Sequence, residues 1–131
     1  MKTQIDLNAL NGQELTSVMV MTNCVRLQFA KYPLREDGRL TDEALIDIDS
    51  GFELVRQTRK VIGKVSSDRV AFREAAGHLV SLIEHRIADI RMLADRQLRI
   101  SFSDNSELTL LINEHGFESY RIHASQKSVT V

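Results

Sequence analysis

Val25-Arg26-Leu27-Gln28-Phe29 alternates apolar and polar residues without a break, and Leu98-Arg99-Ile100-Ser101-Phe102 repeats the alternation late in the chain. Period-two alternation places every apolar side chain on one face of an extended strand, so both pentapeptides read as strands with one dry and one wet face. Their surroundings match as well. Leu10, Leu15, Val18 and Val20 upstream of the first correspond to Leu82, Ile87, Ile90 and Met92 upstream of the second. Downstream, Gly51-Phe52-Glu53-Leu54-Val55-Arg56 returns as Gly116-Phe117-Glu118-Ser119-Tyr120-Arg121, with Gly, Phe, Glu and Arg in common. Recurring apolar spacing marks a recurring supersecondary unit whose copies bury their faces against one another. The expectation is therefore an α+β fold, mainly antiparallel β: two pseudo-twofold-related β-meanders, residues 10–56 and 82–123, joined by one α-helix.

The linker supplies the helix. Phe72, Ala75, Ala76, Leu79, Leu82 and Ile83 recur at helical spacing, and Ser66-Ser67-Asp68 places capping side chains just ahead of them. The pattern predicts a helix near 68–83, although Gly77 within it weakens the helix by roughly 1 kcal/mol relative to alanine. In the first meander Leu15 to Met21 and Val25 to Phe29 read as a hairpin, followed by short strands at Leu45–Ile48 and Phe52–Arg56. In the second, strands are expected at Ile87–Met92, Leu98–Phe102, Leu108–Ile112 and Phe117–His123, with Val129-Thr130-Val131 as a short edge strand. Gln57 to Val65 suits either a strand or a loop.

At 131 residues the chain is long enough for one domain with a core of its own. Seventeen basic against eighteen acidic residues, a net charge of -1, is not the balance of a general nucleic-acid binder. Charge is unevenly distributed, however. Glu36, Asp37, Asp42, Glu43, Asp47, Asp49 and Glu53 face only Arg35 and Arg39, whereas Arg56, Arg59, Lys60, Lys64, Arg69 and Arg73 face only Asp68. Adjacent blocks of opposite sign are either solvated faces or a two-signed recognition surface. Cys24 is alone, which excludes an internal disulfide. With no signal-peptide run at the N-terminus and no apolar stretch of membrane-spanning length, a reducing cytoplasm is the expected location and no membrane contact is expected.

Chemistry-bearing motifs are sparse. His78, His85, His115 and His123 form no zinc-binding spacing, the glycines form no phosphate-cradling loop, and no nucleophile motif surrounds Cys24. The reading is a protein that is not an enzyme and carries no cofactor or metal. Phe29/Phe102 and Phe52/Phe117 are expected at matching positions, either as core pairs or as an aromatic pocket along the seam between the copies. Glu53 and Glu118 read as surface ion-pair partners; acid–base catalysis by them is the weaker reading. The acidic stretch is the strongest functional lead. Clustered like charge steers a basic partner onto its surface, and Asp47 and Asp49 on a strand would hold carboxylates that imitate the phosphates a nuclease cleft expects.

The opening Leu10-Asn11-Gly12-Gln13-Glu14-Leu15-Thr16-Ser17-Val18, its second version Leu82-Ile83-Glu84-His85-Arg86-Ile87-Ala88-Asp89-Ile90, and the strand ends Leu27-Gln28-Phe29 and Ile100-Ser101-Phe102 resemble a bacterial family of small duplicated proteins of unknown function. The resemblance spans about residues 10 to 123, and this chain departs from it at Glu84, where the second-copy glycine is missing. Relatives of that type are similar to immunity proteins encoded beside polymorphic or contact-dependent toxins. The resemblance implies a cytoplasmic, non-enzymatic inhibitor that binds a toxin domain, with a nuclease as one candidate, and makes no direct contact to nucleic acid. Its expected contacts are Glu36, Asp37, Asp42, Glu43, Asp47 and Asp49 against a basic toxin surface. The alternative is a small-ligand or regulatory module using the seam between the copies near Phe52 and Phe117. Pairing of the Val129–Val131 edge with a second copy would give a homodimer.

Overall fold

Alternating residues build most of the strands. In a computed structural model, described for residues 5–31, 41–66, 68–124 and 127–131, Val25, Leu27 and Phe29 point into the core from β2 (Val25–Lys31). Leu98, Ile100 and Phe102 do the same from β7 (Leu98–Phe102). The Phe29 and Phe102 rings stack at 6.4 Å, tying the two strands together across the core. Around this pair lie β1 (Glu14–Val20), β3 (Thr41–Ile48), β4 (Gly51–Arg56), β5 (Arg59–Lys64), β6 (Ile87–Met92), β8 (Glu107–Leu111), β9 (Tyr120–Ala124) and β10 (Lys127–Thr130). The fold is mostly antiparallel β with one short α-helix, as an α+β reading requires.

The strands form two five-stranded sheets, ordered β1-β2-β3-β9-β10 and β5-β4-β8-β7-β6. We call them sheet I and sheet II. Neither half of the chain makes the continuous four-strand meander expected of it. β4 leaves β3 at a turn and pairs with β8, and β9 leaves β8 and pairs with β3. Alternation specifies which face of a strand is dry, but not which neighbour it takes.

Two hairpins share one register. Leu15, Val18 and Val20 of β1 oppose Phe29, Leu27 and Val25, with a bulge between Leu15 and Ser17. Ile87, Ile90 and Met92 of β6 oppose Phe102, Ile100 and Leu98, with a bulge between Ile87 and Asp89. Each hairpin is preceded by a 3-10 turn ending on a buried leucine, Leu7–Leu10 before β1 and His78–Leu82 before β6. Two residues on, Gly12 and Glu84 both adopt left-handed backbone, at φ +85° and +79°. The two openings are stitched reciprocally. The Gly12 N–H donates to the Ile87 carbonyl and the Glu84 N–H donates to the Leu15 carbonyl, at 2.8 and 2.9 Å.

Helix α1 (Arg69–Gly77) begins at Asp68, whose carboxylate accepts from the Val70 N–H, and passes directly into the 3-10 turn at 78. Its buried face, Phe72, Ala75 and Ala76, lies on β5, and Phe72 packs edge-on against Phe52 at 6.3 Å. That contact corrects the expected Phe52/Phe117 pair. Phe52 is wholly buried, whereas Phe117 is 73% exposed in the turn ahead of β9. Tyr120 is the buried aromatic of β9 and sits opposite Ile48; Phe52 sits opposite Leu110. The hexapeptide identity is thus displaced from the backbone correspondence, because Gly116 (φ +81°) belongs to a turn while Gly51 opens a strand.

Gly63 of β5 is packed closely against side chains of β4 and α1. A Cβ there would stand 2.7 Å from the Phe52 ring and 3.0 Å from the Ala75 methyl. Gly63→Ala is expected to lower stability by about 1–3 kcal/mol, as overpacking forces α1 off the sheet. Glu84→Gly should act in the other direction, raising stability by about 1 kcal/mol through release of a left-handed non-glycine residue. Urea midpoints of the two variants check both signs, and a Glu84→Gly midpoint at or below wild type would show that its backbone is unstrained.

Candidate functional site

The outer face of sheet I carries a charged row set by strand register. Arg26 of β2, Asp47 of β3 and Arg121 of β9 lie directly opposite one another, each pointing away from the core that their neighbours fill. Arg26 grips Asp47 with two donors, Nε at 2.8 Å and Nη2 at 3.1 Å. Arg121 forks onto Asp49 at 2.8 and 3.0 Å and brings Nη2 within 3.5 Å of Asp47. His123, one strand position pair further along, has Nε2 3.7 Å from Asp47, while its Nδ1 meets the Ser128 hydroxyl at 2.7 Å.

Asp47 is therefore 0% exposed without being in the apolar core: the arginines and His123 cover it. Burial pushes its carboxyl upward, but the Arg26 hydrogen bonds and the charges of Arg26, Arg121 and His123 outweigh that and hold it below the ordinary carboxylate value. The bound carboxylates raise the Arg26 and Arg121 guanidinium values further. Cys24 lies beside this row. Burial pushes its thiol up, and Asp49 and Asp47 add to the shift, so it is a poor nucleophile at neutral pH.

The expected acidic platform is redistributed. Glu36 and Asp37 lie outside the described residues, as does the side chain of Asp42. Glu43 is exposed and borders a cleft of about 290 Å³ with Lys31, Lys127 and Gln13, whose buried Oε1 has no hydrogen-bond partner among the described residues. Asp47 and Asp49, expected as free carboxylates on a rigid strand, are instead consumed by Arg26 and Arg121. The structure brings these two together and leaves Glu43 apart from them at the far end of β3. Glu53 pairs with Lys60 at 3.4 Å, and Glu118 is exposed in the β8–β9 connection. Among the described residues no three His, Cys, Asp or Glu side chains converge as a metal cluster would, and no helix is long and apolar enough to cross a membrane.

A second network was not legible in the sequence. Arg56, ending β4, reaches Asp104 at 3.2 Å and the Ser106 hydroxyl at 3.2 Å in the β7–β8 turn. His85 Nε2 approaches the same carboxylate at 3.7 Å. Burial raises the Asp104 carboxyl, and the Ser106 hydrogen bonds with the His85 and Arg56 charges bring it below its ordinary value. Asp104-Asn105-Ser106 is recognisable as a turn, but nothing local points to an arginine from another strand.

No protein-family model matches the chain, and neither does any curated protein or solved structure.

Because the folded carboxyl of Asp47 titrates below its unfolded value, its contribution to stability is complete above roughly pH 5 and is lost as pH falls through the folded value. Asp47→Asn keeps the shape and leaves two guanidiniums without their charge partner. Since these are about one-third exposed and can turn to water, the loss at pH 7 is expected at about 2–3 kcal/mol, the low end for a broken buried pair. Chemical denaturation at several pH values should show that gap closing as pH falls below the ordinary carboxylate range; a gap independent of pH would exclude the charge as its origin.

Proposed function

We propose that residues 10–56 and 82–123 descend from one repeated unit, and that the chain is a non-enzymatic immunity protein of the cytoplasm that binds and blocks a bacterial toxin domain. Support for the repeat comes from the common register of the β1–β2 and β6–β7 hairpins, their matching bulges, and the left-handed Gly12 and Glu84 that precede them. The missing glycine of the second opening thus retains the glycine's backbone conformation.

One observation carries the functional reading: the mutually locked row Arg26–Asp47–Arg121–Asp49 on the outer face of sheet I. Its side chains are already ordered by one another, so docking immobilises little that was free. The corresponding row on sheet II, Arg99–Thr109–Glu53, follows the same register and has no central carboxylate. Among the described residues only one sheet face is built this way. We take it as the floor of the docking surface, with Glu43 and the acidic segment Glu36, Asp37 and Asp42 as the charges that meet basic groups on the toxin. Asp47 and Asp49 then act by holding Arg26 and Arg121 in place, where these can meet acidic groups of the same partner.

The test is co-expression with the product of the adjacent gene, read for toxicity alone and for growth rescue by this chain, together with association kinetics of the purified pair. Reversing Asp42 and Glu43 to lysine is expected to slow association about tenfold at low salt and to leave the melting temperature in place. Failure to rescue growth, or an association rate indifferent to the reversal and to salt, would remove the inhibitor reading.

A further inference from the structure

Three parts of the chain meet in a groove of about 820 Å³: the β4–β5 hairpin, the segment where α1 becomes a 3-10 turn, and the β7–β8 turn. Its apolar floor is the half-buried Val61, backed by the core residue Leu54, and its charged rim is Arg56, Arg59, Lys60 and Asp104, with His78 across from them. The partners of the rim residues decide what it can hold. Arg56 and Asp104 neutralise one another, and Lys60 is engaged by Glu53. The Arg59 side chain is exposed and has no ion-pair partner among the described residues. Cationic excess is thus concentrated on one guanidinium at the mouth of a cavity with an apolar floor.

The hairpin carrying Arg59 is held unusually. Gln57 occupies the first turn position at φ +54°, a conformation that glycine fills with less strain. Strained turns persist where the surroundings over-determine them, and here the turn sets Arg59 on the groove rim.

We infer that this groove binds a small organic anion, with an apolar body on Val61 and a carboxylate or phosphate on the Arg59 guanidinium. A planar fork of donors suits either head group, and the concave apolar floor distinguishes the site from a merely solvated basic face. The inference stands apart from toxin inhibition, since the groove lies against sheet II and the charged row lies on sheet I.

Phenyl phosphate, benzoate and benzyl alcohol share one ring and differ only in the head group, so they test the site directly. In amide NMR titrations of the full chain, phenyl phosphate or benzoate should give saturable shifts at residues 56–61 and 104–106, and benzyl alcohol none. The tighter of the two anions identifies the head group. Arg59→Gln is expected to weaken binding about tenfold or more, with a melting temperature unchanged within about two degrees. Arg59→Lys, which keeps the charge and loses the fork, should fall between them and covers the case in which the glutamine variant does not fold. Absence of saturable shifts with both anions, equal binding of benzyl alcohol, or full affinity in the Arg59 variants would overturn the assignment.

Discussion

The ladders β3–β9 and β4–β8 are the constraint on which the rest of this molecule depends. Each joins a strand from the first half of the chain to one from the second, so neither sheet is complete until both halves are in place. Both charged networks straddle these joins. Asp47 belongs to β3 and its partner Arg121 to β9; Arg56 belongs to β4 and its partner Asp104 to the turn entering β8. A pairing of such sequence separation is reached only after long loops close, which places these contacts late in assembly. The reciprocal stitching of Gly12 to Ile87 and Glu84 to Leu15 joins the β1 edge of sheet I to the β6 edge of sheet II.

Asp47 shows how the ladder and the electrostatics reinforce one another. Removing a carboxylate from water costs several kcal/mol even after relaxation, and one guanidinium rarely recovers that cost. Here two arginines and His123 surround the group, while both arginines keep about a third of their surface in water. They retain hydration while supplying charge, so the arrangement is tolerable where a fully buried pair would not be. It also specifies register. Sliding β9 by one residue would move Arg121 off Asp47 and turn the buried Tyr120 and Ile122 to solvent.

What could be read from the sequence followed from local chemistry. The alternation in 25–29 and 98–102, the apolar periodicity before Leu82 and the cap at Asp68 each report on a residue's immediate neighbours, and each matches an element in place. Partner choice is not local. Nothing in Gly51–Arg56 says that β8 rather than β3 is its neighbour, and nothing near Asp47 announces Arg121. The hexapeptide identity misled for a related reason: Phe117 follows a left-handed glycine in a turn, so the same letters meet a different backbone. Acidic residues counted together in sequence were likewise separated in space. Glu43 stays exposed at one end of β3, and Asp47 disappears beneath arginines towards the other.

If the halves are copies, as proposed, function should lie in what they no longer share. The shared features are mostly architectural: the opening turns, the bulges and the apolar faces, with Arg26 and Arg99 at one matching outward position. The differences are chemical. Asp47 and Arg121 occupy the register positions that Thr109 and Glu53 occupy on the other sheet, and the groove around Arg59 draws on α1, which connects the halves and belongs to neither repeat. The core contacts the inward residues of each sheet and places little demand on most of those facing outward. The outer row of sheet I and the rim of the groove are two places where ordered charge is found on outward-facing positions. Structural need accounts for the two arginines and the histidine around the buried Asp47; it does not by itself account for the second carboxylate, Asp49, that Arg121 also grips.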